Sequence, residues 1–198
     1  MKNQHTHQTL QKQQEQLLKI TLKNPNLRKI LNNLKFPHNH PWYIAAGCVN
    51  QTVWNHLTNR KITHGIGDYD IVYWDDDISK EAELRIQREI KDQFPDLAEN
   101  LDIVNEARVH LWFEEDFGQK IEQYKSLEHA ISTWPTTITC IGITKRNGEF
   151  SVVAPYGLSD LFGMILRPNL PHVIPEIFEK KVEKWTAKWL ELRVIRNF

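Results

Sequence analysis

The sequence predicts a mixed α+β fold in which a small central sheet is packed with helices and flanked by helical segments at both ends. Three observations carry this. Apolar residues recur at helical spacing near both termini. Short alternating or apolar runs bounded by glycine occupy the middle. One Asn-Gly turn joins two runs of strand character. The 198 residues suffice for one ordinary domain, which at this size buries roughly 70% of its unfolded surface and needs no disulfide.

The first 16 residues are rich in Gln and His and nearly free of apolar side chains. They read as a frayed start, with His5 and His7 on a solvated tail. From 17 to 40 the chain reads as an N-terminal helical segment. Leu17, Leu18, Ile20 and Leu22, then Leu27, Ile30, Leu31 and Leu34, form two helices broken at Asn24-Pro25-Asn26 and closed by Phe36-Pro37. The central domain is expected over 41–170. It opens with the apolar run Trp42–Ala46, then Gly47 and a helix over Val49–His56. Gly65-Ile66-Gly67 introduces a strand through Asp68-Tyr69-Asp70-Ile71-Val72-Tyr73. Ser79 is set to cap a long helix stopped at Phe94-Pro95, and Leu101–Asn105 reads as the next strand. Strands over Ile138–Thr144 and Phe150–Ala154 meet through Asn147-Gly148. Helices are expected over Ser126–Thr133 and Leu158–Leu166. A C-terminal helix over Pro175–Leu192 lies in the last segment, 171–198.

Composition limits the function classes. With 25 basic and 25 acidic residues the net charge is zero, so no general electrostatic grip on a long nucleic acid is written into the chain. No apolar run is long enough to span a bilayer. Cys48 and Cys140 match no zinc or redox spacing and read as packed thiols, so a cytoplasmic setting is expected. The apolar stripe Ile177, Val182, Trp185 and Trp189 serves either the core or the seam of a homodimer.

The chemistry is concentrated in Ala46-Gly47-Cys48, a helix, and then Asp68-Tyr69-Asp70. In a strand, residues two apart share a face, which sets Asp68 and Asp70 about 7 Å apart along it. Two carboxylates that close repel each other, and a hard cation such as Mg²⁺ (or Mn²⁺) offsets the repulsion while keeping sites for water and phosphate. A glycine at a strand-to-helix junction lets the backbone approach a phosphate at the helix N-terminus.

These pieces resemble the signature of the polymerase-β-type nucleotidyltransferase superfamily. More closely, they resemble a bacterial nucleotidyltransferase-like family of undefined substrate. The resemblance is carried by Ala45–Val49, Asp68–Tyr73, Asn105–His110, Ser132–Thr137, Ala154–Phe162 and Arg167-Pro168-Asn169. It implies a palm-type sheet and transfer of a nucleotidyl group from a nucleoside triphosphate to an acceptor. It further implies Asp68 and Asp70 as metal ligands, with a third carboxylate on a neighbouring strand that joins them and activates the attacking hydroxyl. Asp102, between Leu101 and Ile103, is assigned that role. Gly47 and Cys48 are expected at the phosphates, the latter through its backbone because a thiol donates poorly. Arg108 and His110, two apart on a continued strand, either meet substrate phosphate or belong to a structural pair. Asp160 either caps a helix or orients substrate, and Arg167 either binds phosphate or pairs with an acid. Asp75-Asp76-Asp77 reads as a solvated turn. The acceptor is expected to be a small molecule or a protein hydroxyl. Two other classes remain: a non-catalytic nucleotide- or partner-binding module on the same fold, and an Asp-x-Asp glycosyltransferase, although that motif commonly ends an apolar strand rather than beginning one.

Overall fold

The computed structural model describes residues 9–170 and 172–196; the reading of His5 and His7 lies outside them. Helix α1 (Leu10–Thr21) begins well inside the stretch expected to be frayed, and it buries Gln13 as well as Leu17 and Ile20. Proline and asparagine divide it from α2 (Pro25–Asn33), because the Asn24 side chain accepts from the amides of Asn26 and Leu27 and caps the second helix. Strand β1 (Trp42–Ala45) runs directly into α3 (Ala46–Leu57). β2 (Tyr69–Tyr73) follows, then α4 (Lys80–Gln93), whose Ala82 amide donates to the Ser79 hydroxyl at 3.3 Å, and β3 (Leu101–Asn105).

Beyond β3 the strand does not continue. The Asn105 side chain accepts from the Ala107 amide at 3.1 Å and turns the chain into a 3-10 helix, Glu106–Leu111. Arg108 and His110 therefore do not share a strand face. A short α5 (Phe113–Phe117) and α6 (Leu127–Ser132) come next. The strand expected from Ile138 starts only at Gly142, because Thr136 and Thr139 close a hydroxyl-bonded turn before it. β4 (Gly142–Arg146) and β5 (Glu149–Val153) form the hairpin, with Asn147 and Gly148 both at positive φ as this turn type demands. The helix expected to reach Leu166 stops at Phe162. α7 (Ser159–Phe162) gives way through Met164, at φ 53°, to β6 (Ile165–Leu166), which pairs in parallel with β7 (Arg193–Val194). α8 (Pro175–Thr186) is likewise shorter than the Pro175–Leu192 expected.

The main sheet is mixed and has the order β3-β2-β1-β4-β5, with β2 and β3 parallel and the other pairs antiparallel. Alternation gives its two faces different work. Ile44, Tyr69, Ile71, Tyr73 and Ile103 enter a large core with residues of α1, α2, α3, α4 and α8. Ala45 and Val72 turn the other way, onto a smaller cluster with Leu127 and Ile131 of α6. Asp70 alternates with Ile71 and Asp102 with Ile103, which sets both acids on this less filled face. Val182 and Trp185 of α8, with Trp189 just beyond it, belong to the core, while Ile177 does not: the two tryptophans pack against Trp54 of α3, with ring centroids 5.5 and 5.4 Å apart.

Candidate active site

In the parallel pair β2–β3, Asp70 is registered against Asp102, and on its other side against Ala45. Asp68, just ahead of β2, is exposed, as is Asp102, while Asp70 is half-buried between them. The glycine motif closes on the same point. A methyl group at Gly47 would stand 3.0 Å from the Gln51 amide nitrogen and 4.0 Å from an oxygen of the Asp70 carboxylate. No side chain caps the N-terminus of α3, and Ala46 at its first position holds φ 53°, a left-handed conformation costly for alanine. Such strain at a strand-to-helix junction is characteristic of functional sites.

Electrostatics mark the same place. Burial and then the charges of Asp68 and Asp102 push the Asp70 carboxyl up to about 7, with Lys181 acting in the opposite sense. Asp102 is also raised, by desolvation and then by Asp68. Glu106, buried at the end of β3, is pushed up to about 8 by burial and by Asp70, Asp102 and Glu83. At all three, burial is the first cause, and the neighbouring carboxylates raise them further. Among the described residues no three His, Cys, Asp or Glu side chains converge into a cage of protein ligands alone. Carboxylates registered side by side, as Asp70 and Asp102 are, are donors of the kind a hard cation such as Mg²⁺ takes one or two at a time, with water and phosphate completing its shell.

The acids stand in a cleft of about 690 Å³. Ala46, Asp70, Asp102 and Glu106 contribute to one part of it, and aromatic residues such as Trp112, Phe117 and Trp134 to another. Cys48 is fully buried, its thiol donating to the Ala45 carbonyl at 3.1 Å, so its side chain stays off the cleft. Arg108 and His110 do not line the cleft either. The Arg108 guanidinium donates to Glu83 and, through Nε, to the Ile78 carbonyl at 3.2 Å; the buried Nδ1 of His110 has no hydrogen-bond partner among the described residues. Arg167 pairs with Asp160 at 2.9 Å, and Asp160 also accepts from Thr137, which makes that trio a brace between segments. Of Asp75, Asp76 and Asp77, the first accepts from the Asp77 amide and the last from the Ser79 amide, as a capped turn does.

A family model described as nucleotidyltransferase matches residues 30–194. The chain belongs to that family. It is an enzyme of the nucleotidyl-transfer class, with a nucleotide as substrate. An NMR structure described as a CCA-adding enzyme head domain shares its fold at a TM-score of 0.74 and 23% identity, over 92% of this chain and 96% of that one. A tRNA-processing enzyme in an apo form aligns with a TM-score of 0.49 and 14% identity, over 96% of this nucleotidyltransferase and 45% of that chain. No curated protein matches.

Two cleft residues of the nucleotidyltransferase escape a reading of its sequence. Glu106 sits inside the Asn105–His110 block, but only the turn after β3 aims it at the acids. Lys181 interrupts the apolar stripe of α8, four residues after Ile177 and four before Trp185, and that interruption was its one visible signal.

Proposed function

We propose that this enzyme transfers a nucleotidyl group from a nucleoside triphosphate to a hydroxyl on a small molecule or a protein, with Asp68 and Asp70 holding Mg²⁺ or Mn²⁺. The observation that carries the reading is the register of Asp70 against Asp102 on parallel strands, with Gly47 set against the Asp70 carboxylate at the start of α3. The bound cation would neutralise the acids and stabilise charge in an in-line displacement at phosphorus. The chain's own residues do the rest. Asp102, exposed beside Asp70, takes the proton of the acceptor hydroxyl as its oxygen bonds to the α-phosphorus. The bond from the α-phosphorus to the bridging oxygen of the β-phosphate breaks, and pyrophosphate leaves with the electron pair. The backbone at Gly47 and Cys48 receives phosphate oxygens at the uncapped helix start.

The acceptor class follows from charge. The cleft sets its acids and aromatic rings beside two lysines, Lys125 and Lys181, with no basic stripe, and the chain as a whole is neutral, features that favour a compact acceptor over a polyanionic strand. Among the described residues no helix is long and apolar enough to cross a membrane, and both cysteines are free thiols, which suits a reducing cytoplasm.

Calorimetric titration with Mg²⁺ or Mn²⁺ and a panel of nucleoside triphosphates tests the reading. Wild type is expected to bind triphosphate only with metal, and Asp68→Ala/Asp70→Ala to lose that binding while melting as a folded protein. Equal binding by the two proteins, or none by wild type, sinks the metal assignment.

A further inference from the structure

The C-terminal helix brings a cation into the cleft. Lys181 of α8 lines it together with Ala46, Asp70 and Asp102. Its ammonium lies 5.2 Å from the centre of the Trp185 ring, and Trp185 is itself buried against Trp54, so the lysine stem is held by packed aromatics. Asp70 and Asp68 both act on its charge, yet among the described residues it forms neither an ion pair nor a hydrogen bond. Lys181 stays half-buried in the wall of the cleft, a partly desolvated charge with no carboxylate bonded to it among the described residues. Such a group gains from an anion that supplies several acceptor oxygens.

We propose that Lys181 binds the β- and γ-phosphates of the incoming nucleoside triphosphate and then carries the charge of the departing pyrophosphate. The assignment rests on the nucleotidyl-transfer reading and adds α8 to the site. It also supplies the phosphate-binding cation that Arg108, held by Glu83, does not. A lysine suits the role because its ammonium is a compact point charge on a flexible stem, able to follow the phosphates as the bond to the α-phosphorus breaks.

The test uses the full chain, Mn²⁺, one nucleoside triphosphate that wild type binds, and inorganic pyrophosphate as a separate probe. Lys181→Met keeps the stem over Trp185 and removes the charge; Lys181→Arg keeps the charge. The methionine variant is expected to bind triphosphate and pyrophosphate roughly ten- to hundredfold more weakly than wild type, the range lost with one charge-assisted hydrogen-bonding group. The arginine variant recovers most of that loss, and both melt near wild type. Triphosphate and pyrophosphate affinities unchanged in Lys181→Met, with Asp70→Ala still abolishing metal-dependent binding, overturn the inference and leave the reading of the site standing. Weakening that arginine does not restore, accompanied by a lower melting temperature, overturns it in favour of a packing role. Absence of metal-dependent triphosphate binding in wild type removes both.

Discussion

At the scale of the residue, Asp70 and Glu106 are carboxyls of the cleft whose burial makes the fold sensitive to pH. Both carboxyls are held above their ordinary values, at about 7 and about 8, chiefly by burial. The folded state thus binds protons that the unfolded chain, titrating near 4, has already released. Where the folded state holds more protons, stability falls as pH rises. The stabilising protons are fully present in both states below about pH 4, and the relative loss accumulates between there and about pH 8. Metal-free protein is therefore expected to melt at a lower temperature at pH 8 than at pH 5.5, and Glu106→Gln, neutral at every pH, to flatten that slope. At pH 8 the glutamine variant should be more stable than wild type by on the order of 4 kcal/mol, since the roughly 3.5 units between the folded and unfolded values are each worth about 1.4 kcal/mol. Parallel slopes for the two proteins in thermal melts from pH 5 to 8 would show that Glu106 does not hold its proton. That Asp70 and Asp102 share a sheet face was legible, because strand alternation on two neighbouring strands suffices to pair them. Glu106 was not, since its approach to them depends on the turn that Asn105 makes.

At the scale of the element, the end of β3 is fastened to α4. Glu83, nearly buried, accepts from the Asn105 amide at 3.0 Å and from the Arg108 guanidinium. Asn105 in turn accepts from the Asp75 amide at 3.1 Å and donates to the Asp75 carbonyl at 3.0 Å, tying the acidic turn after β2 to the same knot. Arg108 is placed as a brace that keeps β3, and with it Asp102, in register beside Asp70. Arg108→Met leaves Glu83 with an uncompensated buried charge and is expected to cost about 3 kcal/mol of stability. Triphosphate affinity should stay within twofold of wild type at a temperature where the variant is folded. A selective loss of affinity with stability intact would return Arg108 to the phosphates. Elements with strong local signals were legible in sequence: the break at Asn24-Pro25-Asn26, the Ser79 cap, the Asn147-Gly148 hairpin, and β3 over Leu101–Asn105. The misjudged boundaries are those set by partners far along the chain. α7 ends early because Ile165 and Leu166 pair with Arg193 and Val194, and β4 starts late because Thr136 and Thr139 hold a turn. Neither partner is visible in a local window.

At the scale of the whole molecule, the question is whether the C-terminal segment is an appendage or part of the catalytic body. Sequence divides the chain at residue 171, and composition gives no reason to join the pieces. The packing does. Trp189 is fully buried, donates from its indole nitrogen to the Asn55 side chain of α3 at 2.9 Å, and lies 5.4 Å from the ring of Trp54. On its other side it covers Gly65, whose φ of 72° and proximity leave no room for a side chain, since a methyl there would come within 2.8 Å of the indole. Gly65 stands three residues ahead of Asp68, in the segment that leads into β2. One tryptophan just beyond α8 thus joins the end of that helix, α3 and the segment that leads into β2, and Lys181 rides on α8 itself. The C-terminal segment and the sheet are therefore expected to unfold in one cooperative transition. Trp189→Ala should lower stability by about 3–5 kcal/mol through the cavity it opens and the Asn55 oxygen it strands. Replacement of the neighbouring Leu190, which is 83% exposed, should stay within about 0.5 kcal/mol of wild type. Hydrogen exchange on wild type distinguishes the two pictures. Amides of α8 and α3 that open with a common free energy mark a single body. If α8 instead exchanges far ahead of α3, and Trp189→Ala melts in two steps with triphosphate affinity preserved, the helix is an independent cap and the coupling argued from Trp189 fails.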